Sequence, residues 1–357
     1  MKFKVLVAPL NWGLGHATRL SVLIDRHIAK GDEVVIAGDG MSLAWLRSRY
    51  PNLRSIELPH LDLHYSPAGS QIKGLLKQAP HFLNWLHADH RTLQNILARE
   101  HFDLVISDNR FGFCSRSAKC VYVTHQLNVM TGGGRLLSSL ATAAHRWFIR
   151  HYDECWVPDY EQWPGLAGDL SHIDGGVGKW NDKVERTKIK YIGPLSRFGD
   201  GIKSKEQRAK NKEQIAKSQE PRYDNVALLS GLEPQRTMLE NELKRRWRGT
   251  NYMIIRGVIG SANAANDGHL LDTADDETFV GLLKNAKHIV CRSGYSTIMD
   301  LAALGLLPRH YGKKNASRLG DGTQDEDCGA NDIDRVVELI PTPGQPEQEY
   351  LAKLFMN

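Results

Sequence analysis

The sequence predicts an α/β protein with two consecutive doubly wound domains, and three observations lead to this fold class. Apolar, β-branched runs alternate with segments of helical spacing from residue 3 onward, which is typical of parallel sheets covered by helices. A polar stretch from Gly165 to Glu220, rich in glycine, aspartate and then lysine, interrupts the alternation, which restarts at Asn225. The length of 357 residues also exceeds what one hydrophobic core usually organises.

The first half opens with a strand at residues 3–10, a glycine-containing turn and a helix over 17–30, which is the start of a βαβ unit. The same alternation predicts the following elements: strands at 33–37, 53–58, 103–107, 120–124 and 154–158, and helices at 42–50, 72–100 and 136–152. Residues 191–195 resemble a last strand of this domain.

The second half continues the pattern, with strands predicted at 226–229, 252–256, 288–291 and 336–341. We therefore expect a first domain over 1–200, a polar linker over 201–223 and a second domain over 224–357. Residues 306–337 are polar and have the character of an insertion in the second domain.

Composition narrows the class of protein. A mean hydropathy of -0.40 and 41% hydrophobic residues are typical of a soluble globular chain. The N-terminal apolar run is too short for a signal peptide and no stretch is long enough to span a membrane, so we expect a cytoplasmic protein. Five cysteines without a C-x-x-C pair indicate neither a disulfide framework nor a zinc site. The net charge of +5 favours anionic partners without selecting one.

The first motif, N-W-G-L-G-H-A-T-R, lies where the first strand turns into the first helix. Gly13 and Gly15 allow backbone N–H groups to approach a ligand at a helix N-terminus. His16 is a candidate general base there, and a helix-capping role is the alternative. A dinucleotide fingerprint needs a third glycine where Thr18 stands, so an NAD-dependent oxidoreductase is disfavoured.

Asp108 is an alternative base, because it directly follows the strand at 103–107 at the sheet edge where ligands of open α/β sheets bind. Its neighbour is Asn109, and an Asp-Asn pair is also ordinary turn chemistry.

The second motif, V-C-R-S-G-Y-S-T over residues 290–297, leads from a strand through a glycine turn into a helix. Its hydroxyls suit helix capping, and the free N–H groups suit a diphosphate. Asp300 lies about one turn into that helix, where a carboxylate suits ribose hydroxyls or the helix dipole. The third motif, residues 340–350, places amides and carboxylates at another helix start, which fits sugar hydroxyls or a well-capped surface helix.

Together these motifs resemble glycosyltransferase family 28, the MurG-type transferases with the GT-B fold, in which two Rossmann-like domains face a central cleft. Residues 291–300 resemble the family's Cys-Arg-Ser-Gly-x-x-Thr-x-x-Glu segment, with Asp300 in place of glutamate, and the Gly-x-Gly-His loop resembles the family's first glycine loop. Residues 125–128 resemble its acceptor-side His-Glu-Gln-Asn, and Ser230 with Gly231 resembles its phosphate loop.

The resemblance implies a metal-independent, inverting transfer of a sugar, most plausibly N-acetylglucosamine, from a UDP-sugar to a lipid-linked or glycan hydroxyl. The UDP-sugar is then a substrate and no cofactor or metal is expected. The implied acceptor-side residues are Gly13, Gly15, His125 and Asn128. The implied donor-binding residues are Ser230, Arg256, Arg292, Ser293, Gly294, Ser296, Thr297, Asp300, Gln345, Gln348 and Glu349. His16 would accept the proton of the acceptor hydroxyl.

This sequence departs from the family pattern at Glu349, where a second glutamine is usual, at the insertion, and at the C-terminus, where the family has a helix that crosses back to the first domain. Two other functions stay open: a UDP-sugar epimerase or hydrolase of the same fold, and a non-catalytic sugar-nucleotide-binding partner subunit.

Two further segments bear on partners. Residues 136–152 combine apolar side chains with Arg146 and Arg150, which suits peripheral contact with acidic lipid on the inner face of a membrane, although core packing is the commoner role of such a face. The lysines of residues 203–217 lack interleaved aromatic residues, so we expect a solvated segment and no nucleic-acid site.

Overall fold

The structure, a computed structural model, describes residues 2–61, 78–173, 188–199, 223–231, 233–259, 268–307 and 335–356. Its strands form two sheets, one of seven strands and one of five, and every strand pair in both sheets is parallel. Strands up to Tyr191 belong to the first sheet and strands from Asn225 belong to the second.

The first sheet has the strand order β3-β2-β1-β4-β5-β6-β7. Its strands are β1 Lys4–Pro9, β2 Glu33–Gly38, β3 Arg54–Glu57, β4 Leu104–Asp108, β5 Lys119–Val123, β6 Glu154–Val157 and β7 Ile189–Tyr191. Its helices are α1 Leu14–Ala29, α2 Gly40–Arg49, α3 Ala79–Arg99 and α4 Gly134–Ile149, with a short 3-10 turn at Gly168–Leu170. The direction of strand progression reverses between β1 and β4, which opens a crevice at their carboxyl ends.

The second sheet has the order β10-β9-β8-β11-β12. Its strands are β8 Asn225–Leu228, β9 Tyr252–Ile255, β10 Leu270–Leu271, β11 His288–Arg292 and β12 Val336–Ile340. Its helices are α5 Gln235–Arg246, α6 Asp276–Asn285, α7 Tyr295–Ala303 and α8 Pro346–Met356. The switch in this sheet lies between β8 and β11, so the turn from β11 into α7 opens at the crevice of the second sheet.

The central strands are buried on both faces, which explains why they read as continuous apolar runs. One apolar cluster extends across both domains: Leu20 and Leu170 of the first share it with Met299 and Phe355 of the second. Buried apolar surface therefore joins the two domains, and the cleft between their sheets is closed in this structure.

The strands predicted from the sequence are confirmed, with ends that shift by one or two residues, except for the last strand of the first domain. Strand β7 ends at Tyr191, and residues 192–196 are not strand. The physical reason is local: Gly193 has φ +73, outside the β region, and Pro194 has no N–H for a ladder bond. The pattern did not indicate β10, α5 or α6.

Two expected features lie mostly outside the described residues. The polar linker is described only at Tyr223, and the apparent insertion only at its first two residues and its last three. Within the described ranges, no helix is both long enough and apolar enough to cross a membrane.

Candidate active site

The candidate site lies at the carboxyl ends of β1, β4 and β5, where the first sheet meets the N-terminal ends of α7 and α8. His16 follows β1 in the first turn of α1, and Asp108 is the last residue of β4. Both therefore lie at the topological switch point of the sheet, the usual place for ligands in this class of fold.

The two alternative bases of the sequence are partners in the structure. Nδ1 of His16 lies 2.9 Å from Oδ1 of Asp108. The carboxylate is fully buried, whereas the imidazole retains 14% of its side-chain exposure. This is the arrangement of a base whose orientation is fixed by a carboxylate.

Arg19 lies one turn after His16 on α1 and also binds Asp108. Its Nε donates to Oδ2 over 2.5 Å, and its Nη2 donates to Oδ1. Burial alone would raise the pKa of Asp108, but Arg19 and His16 lower it to about 2. The carboxylate is therefore ionised at neutral pH and can only accept hydrogen bonds.

The protonation of His16 follows from its surroundings. Burial is the strongest influence and lowers the pKa of His16, Asp108 opposes this, and Arg19 lowers it further. The net pKa is below the usual 6.5, so the ring is neutral at pH 7. A neutral ring that donates from Nδ1 to Asp108 has its Nε2 lone pair free for a proton.

A second histidine connects the domains. His125, which follows β5, places Nε2 at 2.7 Å from Oε1 of Glu347 on α8, and Gln126 donates to the other oxygen of that carboxylate. The His125 ring also stacks on Tyr295 of α7, with ring centroids 4.2 Å apart and planes at 10°. Burial raises the pKa of Glu347, but His125 and Arg19 outweigh it and the pKa falls below its usual value.

The glycine loops of the two domains approach each other closely. Gly13 has φ +80, and a Cβ on it would lie 3.7 Å from the backbone nitrogen of Gly231. A Cβ on Gly15 would lie 2.7 Å from Oγ of Ser296, which itself donates to the Gly15 carbonyl over 3.0 Å. The N-terminal ends of α1 and α7 therefore converge. The partial positive charge at each of these helix ends favours an anion.

Other residues expected to bind the donor lie at the N-terminal ends of α7 and α8, and several of them are hydrogen-bonded to one another. Ser293 is buried and donates to the carbonyl of Gln348 over 2.7 Å. Gln348 accepts from the Thr342 N–H over 2.9 Å and donates to Gln345 over 2.6 Å. Gly294 is the N-cap residue of α7, and Thr297 lies in the first turn of that helix.

The two arginines expected beside the diphosphate bind carbonyl and carboxylate groups of the protein. Arg292 is buried and donates to the carbonyls of Pro341 and Gln235 over 3.0 and 2.8 Å. Arg256 forms ion pairs with Glu240 and Asp272 at 2.9 and 2.8 Å. Both guanidinium groups are thus bound within the second domain, and a contact of either with the donor phosphates stays a prediction.

Two further residues expected at the site have other surroundings. Glu349 is exposed, because residues two apart on a helix point in nearly opposite directions, and the carboxylate that contacts His125 is Glu347. Asn128 is buried and its Nδ2 donates to the carbonyls of Asp169 and His172, so this side chain supports the fold. The expected roles of Glu349 and Asn128 in substrate binding stay predictions.

Asp300 lies against the first domain, where it accepts a hydrogen bond from Ser196 over 2.7 Å. Burial raises the pKa of Asp300 to about 6, against the opposing effects of Arg197 and Ser196. Its role as ribose ligand stays a prediction, as does a phosphate contact by Ser230.

The sequence reasoning missed Arg19, Tyr295 and Glu347. Arg19 could have been found from the sequence, because it is three residues after His16 and therefore lies on the same helix face. Tyr295 and Glu347 had none, because their partner His125 is far away in sequence. Within the described residues, no group of three or more His, Cys, Asp or Glu side chains is arranged to hold a metal ion.

This protein is similar to known proteins in its fold and not in its sequence. No family model and no curated protein matches the sequence. Solved structures do match: the glycotransferase of kitacinnamycin is 13% identical with a TM-score of 0.53, covering 99% of this chain and 84% of that one. The calicheamicin glycosyltransferase CalG4 is 10% identical with a TM-score of 0.51, covering 99% and 89%.

Arabidopsis thaliana UGT89C1 complexed with UDP-L-rhamnose is 12% identical with a TM-score of 0.50, covering 99% of this chain and 90% of that one. The fold is the GT-B fold. The prediction of two Rossmann-like domains in a GT-B arrangement is thereby confirmed. At these identities the similarity establishes the GT-B fold alone, so the MurG-type assignment made from the motifs stays a prediction.

Proposed function

We propose that this protein is a UDP-sugar-dependent, inverting glycosyltransferase that transfers a sugar to an acceptor hydroxyl in the cleft of its GT-B fold. The observation that carries the proposal is the contact of 2.9 Å between His16 and Asp108 at the switch point of the first sheet. A neutral imidazole oriented by an ionised carboxylate is the group that such a transfer requires.

His16 acts as the general base. Its Nε2 takes the proton of the acceptor hydroxyl while the acceptor oxygen attacks the anomeric carbon and the bond to the diphosphate breaks. Asp108 accepts the Nδ1 hydrogen bond and stabilises the imidazolium that forms. A carboxylate whose pKa is about 2 remains ionised throughout and does not itself take the proton.

The diphosphate of the donor is placed at the N-terminal end of α7, next to Gly15 and Ser296. The converging ends of α1 and α7 supply partial positive charge where negative charge develops on the leaving group. Arg256 and Arg292 bind protein groups in this structure, so we assign this task to the helix ends and their N–H groups. Addition of a chelator is therefore expected to leave transfer unchanged.

N-acetylglucosamine as the sugar, and a lipid-linked or glycan hydroxyl as the acceptor, follow from the MurG resemblance of the motifs. Glu347 and Gln348 on α8 provide a carboxylate and an amide near the donor loop, a combination that suits vicinal sugar hydroxyls. In the closed structure they bind protein groups, so a donor sugar would exchange these contacts for its own.

The test is incubation of the purified protein with labelled UDP-sugars, with and without lipid-linked and glycan acceptors. Transfer only in the presence of an acceptor supports the proposal. Turnover without an acceptor would instead favour an epimerase or hydrolase, and binding without turnover would favour a partner subunit.

Peripheral membrane contact through α4 is a second part of the proposal. Leu136, Leu140 and Trp147 are 74%, 59% and 48% exposed. Their spacing of four and eleven residues places them on one face of the helix. The Arg150 guanidinium lies 5.5 Å from the Trp147 ring, so cationic and apolar groups occur together as at lipid-binding surfaces.

Co-sedimentation with vesicles containing anionic lipid tests this contact. The double variant Leu136→Ser/Leu140→Ser is expected to bind less, and the control Met238→Ser, at a 54% exposed site in the second domain, is expected to bind as the native protein does. Equal binding of all three proteins contradicts the assignment.

A further inference from the structure

Arg19 lies in the candidate site, but the proposed transfer gives it no role. Its side chain is 2% exposed, and its guanidinium contacts groups on three different elements. Nε and Nη2 bind Asp108, Nη2 lies 2.8 Å from Nδ1 of His16, and Nη1 lies 3.4 Å from Nδ1 of His125.

The polarity of these contacts determines what Arg19 can do. A guanidinium only donates, and an ionised carboxylate only accepts. Nδ1 of His16 lies between the two, at 2.9 Å from Asp108 and 2.8 Å from Arg19. In the tautomer that the proposed base requires, Nδ1 donates to Asp108 and Nε2 keeps its lone pair, so Arg19 and His16 both donate to Asp108 and Arg19 brings a fixed positive charge beside the imidazole.

The other end of the guanidinium leads to the second domain. Because a guanidinium only donates, Nη1 of Arg19 can donate to Nδ1 of His125, and Nε2 of His125 then donates to Glu347 over 2.7 Å. The hydrogen bonds from Arg19 to Glu347 thus run in one direction. Helix α8 is connected to Arg19 through this chain of two contacts, and Arg19 contacts the base.

We propose that Arg19 is a positioning residue for the base: it holds the Asp108 carboxylate against His16, places a fixed positive charge beside the imidazole, and connects both through His125 to Glu347 of the second domain. This inference rests on the proposed role of His16 in the transfer.

The charged and titratable groups that face His16 come from each element packed around it: Arg19 from α1, Asp108 from β4, His125 after β5 and Glu347 from α8. Burial lowers the pKa of His16, Asp108 raises it, and Arg19 and His125 lower it. Because His16 lowers the pKa of Glu347, Glu347 raises that of His16 in return. Loss of Arg19 should therefore raise the pKa of His16, and loss of the Glu347 charge should lower it.

Proton NMR titration of the full chain measures this directly, with the His16 signal assigned by its loss in His16→Ala. In Arg19→Met the pKa of His16 is expected to rise by about one unit, as for removal of a like charge at contact distance. In Glu347→Gln a smaller shift of opposite sign is expected. An unchanged pKa in Arg19→Met overturns the inference.

Matched variants separate the local effect from a general loss of structure. Arg49→Met removes an arginine that pairs with Asp276 across the domain interface at 3.1 Å without touching the base, so the pKa of His16 is expected to stay at its native value. If Arg19→Met does not fold, Arg19→Gln retains a donor for Asp108 and should show the same rise. Arg19→Lys restores the charge and should return the pKa toward the native value; a full rise there contradicts the role of the charge.

The two proposals fail in distinguishable ways. The titration needs no turnover, so a protein that transfers no sugar can still show the shift, and an active protein can lack it. Where transfer is active, the acid limb of the pH profile of kcat/KM should move to higher pH in Arg19→Met by the same amount as the pKa. An acid limb that stays in place while kcat falls indicates a merely structural role and contradicts the inference.

Discussion

Replacement of Asp108 by asparagine should destabilise the fold, because this buried carboxylate is the counterion of the buried Arg19. A pKa lowered from 3.8 to about 2 corresponds to about 2.5 kcal/mol of stability at neutral pH. The folded pKa is below the unfolded one, so this contribution is fully present above the unfolded pKa and disappears as the pH falls toward 2. Since the variant also leaves the buried Arg19 without its counterion, the cost can reach about 3–5 kcal/mol.

Urea unfolding at pH 7 of the native protein, Asp108→Asn, Arg19→Met and the double variant measures this cost as a double-mutant cycle. We expect the double variant to be more stable than the sum of the two single losses predicts, because it leaves no unpaired charge. Glu161→Gln, at an exposed glutamate of the first domain, is the control and should cost little. A loss below about 0.5 kcal/mol in Asp108→Asn, which is the range of ordinary surface changes, refutes the reasoning.

Three further predictions concern the cleft. Gly15→Ala should weaken donor binding, since its Cβ would lie 2.7 Å from Oγ of Ser296, and the added change Ser296→Ala should restore part of it; calorimetry with a UDP-sugar measures both. The acid limb of the pH profile of kcat/KM should have its midpoint below 6.5, since the pKa of His16 is lowered and activity requires the neutral ring; a midpoint above 6.5 contradicts this. Transfer after treatment with a chelator should equal that of the untreated protein, and a loss restored by a divalent cation would show that a metal takes part.

The strand pattern predicted the fold well, because parallel strands buried on both faces are read from continuous apolar runs. Strand β1 and the turn into α1 were found this way, as was β11 with the turn into α7. Two of the three missed elements have weak patterns. Strand β10 has only two residues, and α5 is largely polar, with three basic residues in its last turn.

The site was predictable where a motif lies on one element and less so where distant elements meet. His16 and Asp108 were each recognised by their position after a strand, yet only the sheet order shows that they are partners rather than alternatives. The sequence does not show which side of α8 faces the first domain, so the contact of Glu347 with His125 was not expected. It also does not show which carboxylates and carbonyls lie within reach of a cation, so the contacts of Arg256 and Arg292 were not expected.

Donor binding and turnover of His16→Ala should be measured side by side, because they separate the role of His16 as a base from any role in binding. We expect kcat to fall by about 10²–10⁴-fold, as for loss of a general base, while the Kd for the UDP-sugar changes little. Turnover at the native rate in His16→Ala would contradict the assignment of His16 as the base.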